Sequence, residues 1–305
     1  MAFLVGTLEA IFLVAYLAYL PTLVPRAQLL DANSKLQMSQ SAAQVAGPGV
    51  GGLLVQLLTA GIAIVADAIS YTVAAIFIAS IRERETPRAP RAAASLRHEI
   101  AEGLGALVGH PVLRGMLVSA TILLFFYGAL VSAQIVYLSR EIGLDPVTIG
   151  GILGAGSVSA LVGAGLAGPL GARIGIGPSI VLANIIIILG AATFPAGRDR
   201  GTDAVPLLVA GQLALNLGAT IYNVNGPSLR QALTPDRLLG RVNASYRFVA
   251  WGAFPLGAVA MSVWIGAIGI YGGLVIVIAG FCAALAWVLV SPLARVRHVE
   301  AATES

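Results

Sequence analysis

Cysteine occurs once in the 305 residues, at Cys282, and histidine three times, at His98, His110 and His298. A single cysteine excludes a disulfide within the chain and any cysteine-rich metal site. The histidines fall in polar segments, so no pair at helical spacing is available to hold a catalytic metal, and no cofactor is expected. Charge is scarce too: 10% of residues are Asp, Glu, Lys or Arg, against about 25% in an ordinary soluble domain. Lysine is nearly absent, with Lys35 alone beside seventeen arginines. No serine–histidine–acid set, glycine-rich phosphate loop or P-loop has usable spacing, which argues against an enzyme and against ATP as the energy source. Met1 leads almost directly into an apolar run without a basic n-region, so no cleavable signal is expected.

What is present is apolar. Hydrophobic residues make up 58% of the chain, with 36 glycines and a mean hydropathy of +0.90. Such a surface belongs in lipid. The net charge of +4 therefore carries no argument for a nucleic-acid partner. A helix needs about 20 residues to cross the hydrocarbon core, and that ruler gives nine spans: Ala2–Leu23, Ala42–Leu58, Gly61–Ile81, Val112–Leu138, Val147–Leu170, Ser179–Pro195, Val205–Gly226, Val249–Ile268 and Tyr271–Val290. The runs are continuous and rich in Leu, Ile and Ala rather than alternating, which excludes a membrane β-barrel. The expected fold class is all-α, a polytopic helix bundle.

Placing Pro25–Ser41 in the cytoplasm puts Arg26, Lys35, Arg82, Arg84, Arg88, Arg91, Arg97, Arg114, Arg173, Arg230, Arg237, Arg241, Arg247, Arg295 and Arg297 inside, and only Arg140, Arg198 and Arg200 outside. Positive charge accumulates in cytoplasmic loops, so this orientation is favoured, with a cytoplasmic C-terminus in a cell inner (plasma) membrane. Four segments follow: a three-helix part over 1–81, a cytoplasmic central loop over 82–111, a six-helix bundle over 112–293 and a tail over 294–305. Within the central loop, Pro87 and Pro90 mark a linker, while Leu96, Ile100, Leu104 and Leu107 line one side of a helix, as in a segment lying on the membrane surface; a solvated connector between the two halves is the plain alternative.

Sliding the chain by 210 positions sets Pro25 on Pro235, Leu29 on Leu239, Asn33 on Asn243 and Gly47 on Gly257, each in the order apolar helix, basic loop, glycine-rich helix. Duplicated halves are a habit of transporters. The repeat unit would hold six helices, and the first unit would then lack about 100 residues before Met1. Six plus six helices around a cytoplasmic central loop resemble the major facilitator superfamily, of which these nine spans would be helices four to twelve. The stretch Leu23-Val24-Pro25-Arg26-Ala27-Gln28-Leu29-Leu30-Asp31-Ala32-Asn33-Ser34 is similar to a loop signature of its drug-efflux branch, which includes macrolide and enterobactin exporters. Ala46-Gly47-Pro48-Gly49-Val50-Gly51-Gly52 resembles the antiporter motif of the fifth helix. Gly168-Pro169-Leu170-Gly171-Ala172-Arg173-Ile174-Gly175 resembles the loop between helices eight and nine, with Ala172 where that loop usually has aspartate.

Only Glu9 and Asp67 place carboxylates inside spans. A buried carboxylate is costly and its pKa rises towards neutrality, so both are proton-coupling candidates; bonding to neighbours such as Ser70 or Tyr71 is the plain alternative. Gly47, Pro48, Gly51 and Gly52 combine a helix-bending proline with small residues that admit a close backbone, which serves either as a seal against leak or as ordinary packing. Gly150, Gly151, Gly154, Gly156, Gly163, Gly165 and Gly168 read as a closely packed helix. Gln212, Asn216 and Asn223 share one helix face by spacing and, with Tyr127 and Gln134, are candidates for a substrate cavity. Phe125 and Phe126 either join them or form an aromatic core. Arg26, Asn33, Arg173 and Arg241 are candidates for a cytoplasmic gate.

The resulting expectation is a secondary transporter exporting an amphipathic small molecule by alternating access, with the lipid bilayer, the substrate and protons as its partners. The rival expectation is that the 305-residue chain is a truncated remnant, or a membrane subunit needing helices from elsewhere.

Overall fold

The computed structural model describes residues 96–235 and 237–297, together with Ala43, Val65, 68–78 and Ser80. The chain divides into two compact units, Met1–Ala93 and Ala94–Ser305. In the first, the described element is a short apolar helix, α1 (Ala68–Ile78). The expected spans Ala2–Leu23 and Ala42–Leu58 lie outside the described residues apart from Ala43, and Gly61–Ile81 is described only in part.

The long elements described in the second unit are all helices: α2 (Leu96–Gly109), α3 (Pro111–Val136), α4 (Pro146–Ile174), α5 (Ile176–Ala196), α6 (Val205–Leu233) and α7 (Leu239–Val290). Their starts follow local chemistry. Pro111 and Pro146 occupy first-turn positions where a missing N–H costs nothing. Asp145 caps α4 by accepting from the backbone N–H groups of Val147 at 2.9 Å and Thr148 at 3.1 Å. A π-helical turn, Tyr137–Glu141, extends α3, and the buried Tyr137 hydroxyl donates to Phe194 O on α5 at 2.7 Å.

Among the described residues, five helices are long and apolar enough to cross a membrane: α3 with its π-helical turn, α4, α5, α6 with the 3-10 turn before it, and α7. At 52 residues, α7 laid straight would be about 78 Å long, far more than the hydrocarbon thickness of about 30 Å. Gly269 breaks it, with φ 76° and ψ 167°, a conformation open to glycine. Its two arms, 239–268 and 270–290, cover the expected Val249–Ile268 and Tyr271–Val290. Helices α4, α6 and the first arm run past the apolar runs that announced them, reaching Ile174, Leu233 and back to Leu239. Hydropathy marks the hydrocarbon boundary, whereas a helix continues wherever its hydrogen bonds do.

Glycines set the interhelical distances. A Cβ on Gly257 of α7 would overlap Phe125 O of α3, one on Gly128 would overlap Phe254 O, and one on Gly280 would enter the Phe126 ring. Helix α3 is thus wedged against both arms of α7. On α6, a Cβ at Gly218 would sit 2.7 Å from Ala183 O of α5. Of the seven α4 glycines named above, only Gly156 and Gly163 meet a neighbour, against Asn216 and Leu217 of α6, and Gly171 continues the seam at Asn225. Gly150, Gly151, Gly154, Gly165 and Gly168 would meet nothing within 4 Å. The packed face is therefore one seam with a step of about two turns, not the whole helix.

After α7 the chain returns along the bundle end. Gly177 N donates to Val296 O at 2.8 Å, supplying one otherwise orphaned donor of the α5 N-terminus. This end carries Arg114, Arg173, Arg230, Arg237, Arg241, Arg247, Arg295 and Arg297, whereas the opposite end carries Arg140, Arg198 and Arg200 beside Glu141, Asp145, Asp199 and Asp203. Leu161, Leu166, Leu189, Leu256, Val259 and Val263 stand exposed between the ends, as a lipid-facing surface requires.

Candidate transport site and basic-end contacts

Two of the expected cavity residues meet. Gln134 Nε2 on α3 donates to Gln212 Oε1 on α6 at 3.1 Å, with 6% and 7% of the two side chains exposed. A buried amide must find a partner in apolar surroundings, and here each finds the other across two helices. One turn along α6, Asn216 Nδ2 donates to Gln212 O at 3.0 Å and its amide occupies the space left by Gly156 of α4. Gln134, Gln212 and Asn216 therefore form one polar knot joining α3, α4 and α6.

Asn223 stands apart from that knot. It is exposed, and the buried amide further along α6 is Asn225, which donates to Ala167 O of α4 at 3.2 Å and to Ile221 O at 3.0 Å. Spacing alone placed Asn223 with Gln212, but the seven residues from Asn216 to Asn223 carry it about 10 Å along the axis, beyond reach of the same contacts.

The aromatic residues of α3 divide. Phe125 and Phe126 meet edge to face at 5.0 Å, and Phe126 stacks on Trp264 of α7 at 6.1 Å. They form an aromatic core at the α3–α7 seam. Tyr127, half-buried, lies 6.3 Å from Phe254 between ring centroids. It joins that seam through Phe254, and no contact to Gln134 accompanies it.

At the basic end, Arg241 of α7 pairs with Glu99 at 2.9 Å and with Glu102, both on α2. Gly103 follows Glu102 on α2, and a Cβ there would stand 2.6 Å from Arg241 O and from Ser245 Oγ of α7. Leu107 is fully buried while Ile100 is 47% exposed. Helix α2 is thus docked on the bundle by charge and close backbone approach. Arg173 is exposed in the last turn of α4, suited to the negative end of the helix dipole. The segment around it is no loop: α4 runs to Ile174, and Gly175, at φ 96°, turns the chain directly into α5.

A second polar cluster was not singled out by sequence. Arg230 Nε donates to Asn243 Oδ1 at 2.8 Å, and its guanidinium lies 3.9 Å above the Tyr246 ring. Tyr222 OH and Ser119 Oγ lie 3.4 Å apart beside it. Arg230 reads in the sequence as one of many loop arginines; the available signal was its place inside a helix, two turns after Tyr222. At the opposite end, the Asp145 carboxyl is held below its ordinary pKa, first by the Thr148 hydroxyl and then by the backbone N–H groups of Thr148 and Val147. Glu9, Asp67, Gly47, Pro48, Gly51, Gly52, Arg26 and Asn33 lie outside the described residues. Among the described residues no cluster of His, Cys, Asp and Glu is suited to a metal ion.

Among the described residues, the buried polar chemistry of this apolar helix bundle consists of amides, hydroxyls and the Arg230 guanidinium. The profile of the Major Facilitator Superfamily matches residues 1–198, and the chain belongs to that family. It is 28% identical over 248 residues to an uncharacterized MFS-type transporter, y4rN, of Sinorhizobium fredii, covering 80% of this chain and 59% of that protein. It is 31% identical over 138 residues to the human proton myo-inositol cotransporter, covering 43% of this chain and 20% of that one. The chain thus spans less than two thirds of either relative's length.

Proposed function

We propose that the chain acts as a proton-coupled exporter of an amphipathic small molecule, of the drug or siderophore kind, with the basic end of its bundle in the cytoplasm of a cell inner membrane. The observation that carries the substrate reading is the Gln134–Gln212–Asn216 knot, two buried amides and a half-buried one among largely apolar helices. Such groups bind a mixed polar and apolar solute and exchange partners cheaply, because each amide both donates and accepts. The arginine asymmetry between the two ends supports the orientation.

Proton exchange assigns Glu9 and Asp67 as the groups that load and release the proton, and Gly47, Pro48, Gly51 and Gly52 as the bend that prevents leak. Outward direction rests on the resemblance of that segment to the antiporter motif. Arg26, Asn33, Arg173 and Arg241 are the residues assigned to the cytoplasmic gate. The test is Glu9→Gln in the full-length protein. Substrate binding retained with proton-driven export lost supports the assignment; unchanged proton-driven export overturns it.

A further inference from the structure

Arg230 is the one charged side chain among the buried residues described, with 8% of its surface exposed. Its partners are neutral: the Asn243 amide, the Tyr246 ring and, next to these, the Tyr222 and Ser119 hydroxyls. Every carboxylate described is elsewhere. Glu99 and Glu102 are engaged by Arg241, Asp145 caps α4, and Glu141, Asp199 and Asp203 lie at the opposite end of the bundle. Arg247, one turn beyond Asn243 and exposed, adds a second positive charge.

A guanidinium keeps its proton under all ordinary conditions, so it cannot relieve burial by neutralising itself. Among the described residues its neighbours are neutral or positive, and in a low dielectric such a field favours an anion. Tyr246 covers a face of the guanidinium, whereas an oxyanion is recognised at the edge, by parallel N–H donors. Asn243 holds Nε and fixes the plane. The position, one turn before α6 ends at Leu233, is also where a solute from the adjoining aqueous phase would arrive.

We propose that Arg230, oriented by Asn243 and Tyr246, is an anion-recognition site that takes the carboxylate or phosphate head of an amphipathic ligand at the basic end of the bundle. The identification of that ligand as cargo rests on the exporter reading above; the site itself does not.

The test is equilibrium binding to the purified full-length protein in lipid-free detergent, by calorimetry, with octanoate and octylamine as paired probes. Octanoate should bind about tenfold more tightly than octylamine, as a charge-assisted bidentate contact allows. Arg230→Gln should abolish the preference, and Arg230→Lys should keep part of it, retaining the charge without the planar fork. Should Arg230→Gln not fold, Asn243→Ala and Tyr246→Leu carry the test, each expected to weaken octanoate several-fold. No octanoate preference in the wild type, or octanoate affinity unchanged in the variants, overturns the proposal. Repeating the titration in phosphatidylcholine nanodiscs with and without phosphatidylglycerol separates two sources of the head. Competition by phosphatidylglycerol that depends on Arg230 assigns it to a lipid, and octanoate binding indifferent to phosphatidylglycerol assigns it to a free solute. Binding requires no proton gradient, so its failure is distinguishable from failure of the transport claim.

Discussion

Gln134 and Gln212, on helices α3 and α6 and 78 residues apart in sequence, are joined by one 3.1 Å hydrogen bond in the apolar interior. Removing one amide strands the other. Gln134→Leu or Gln212→Leu should each destabilise the protein by about 1 kcal/mol, the scale of interhelical hydrogen bonds in membranes. The double variant should recover much of that loss while still failing to transport, because it restores packing but not the polar groups. Thermal unfolding in detergent beside a transport assay checks this; a double variant no more stable than the singles contradicts it.

The α3–α7 seam depends on the missing side chain of Gly257, whose place is taken by Phe125 O. Gly257→Ala forces the helices apart and should cost about 1–3 kcal/mol, as overpacking does. Gly252→Ala, five residues earlier on the same helix with nothing within 4 Å, should be neutral or stabilising by about 0.5–1 kcal/mol through helix propensity. Equal melting shifts for the two would show that the seam is not tight.

Helix α2 is held by Arg241 through Glu99 and Glu102. Arg241→Gln should raise hydrogen exchange across residues 96–109 while leaving α3 protected, and high salt should act in the same direction on the wild type, since the pair is partly exposed. Exchange in α2 that responds to neither change would place its anchorage in Leu107 and the Gly103 contact alone.

Spans were legible because lipid imposes one rule on every residue facing it, and the runs from Val112 to Val290 reappear as α3 to α7. What hydropathy could not supply was anything decided by a specific neighbour. The eight α4 glycines look alike in sequence, yet only Gly156, Gly163 and Gly171 meet α6. Gln212 and Asn216 read as a polar face and proved to be one, while Asn223 fell away along the axis. Arg230 was hidden because a buried arginine and a topological one are the same letter. Arg241 read as a gate candidate, and its pairing with Glu99 and Glu102 on α2 was not legible, since pairing across the fold leaves no mark in the spacing of either residue.

Asp145 makes the start of α4 sensitive to acid. Its carboxyl has a depressed pKa in the folded protein because the Thr148 hydroxyl donates to it at 2.5 Å and two backbone N–H groups also donate to it. The stabilisation is fully present above the unfolded value of about 3.9 and is lost as pH falls through the lower folded value. Asp145→Asn keeps a capping oxygen without the charge. The melting difference between wild type and Asp145→Asn should therefore shrink as pH is lowered below about 4; a difference constant with pH contradicts the assignment.

The central claim is proton-driven export by the full-length protein, and everted membrane vesicles test it most directly. Vesicles carrying the protein are given an acidic interior and their uptake of Hoechst dye is followed by fluorescence, with and without a protonophore. The account predicts uptake that needs the gradient, stops on its collapse and is lost in Gln212→Leu. Uptake that continues undiminished at zero gradient would contradict it.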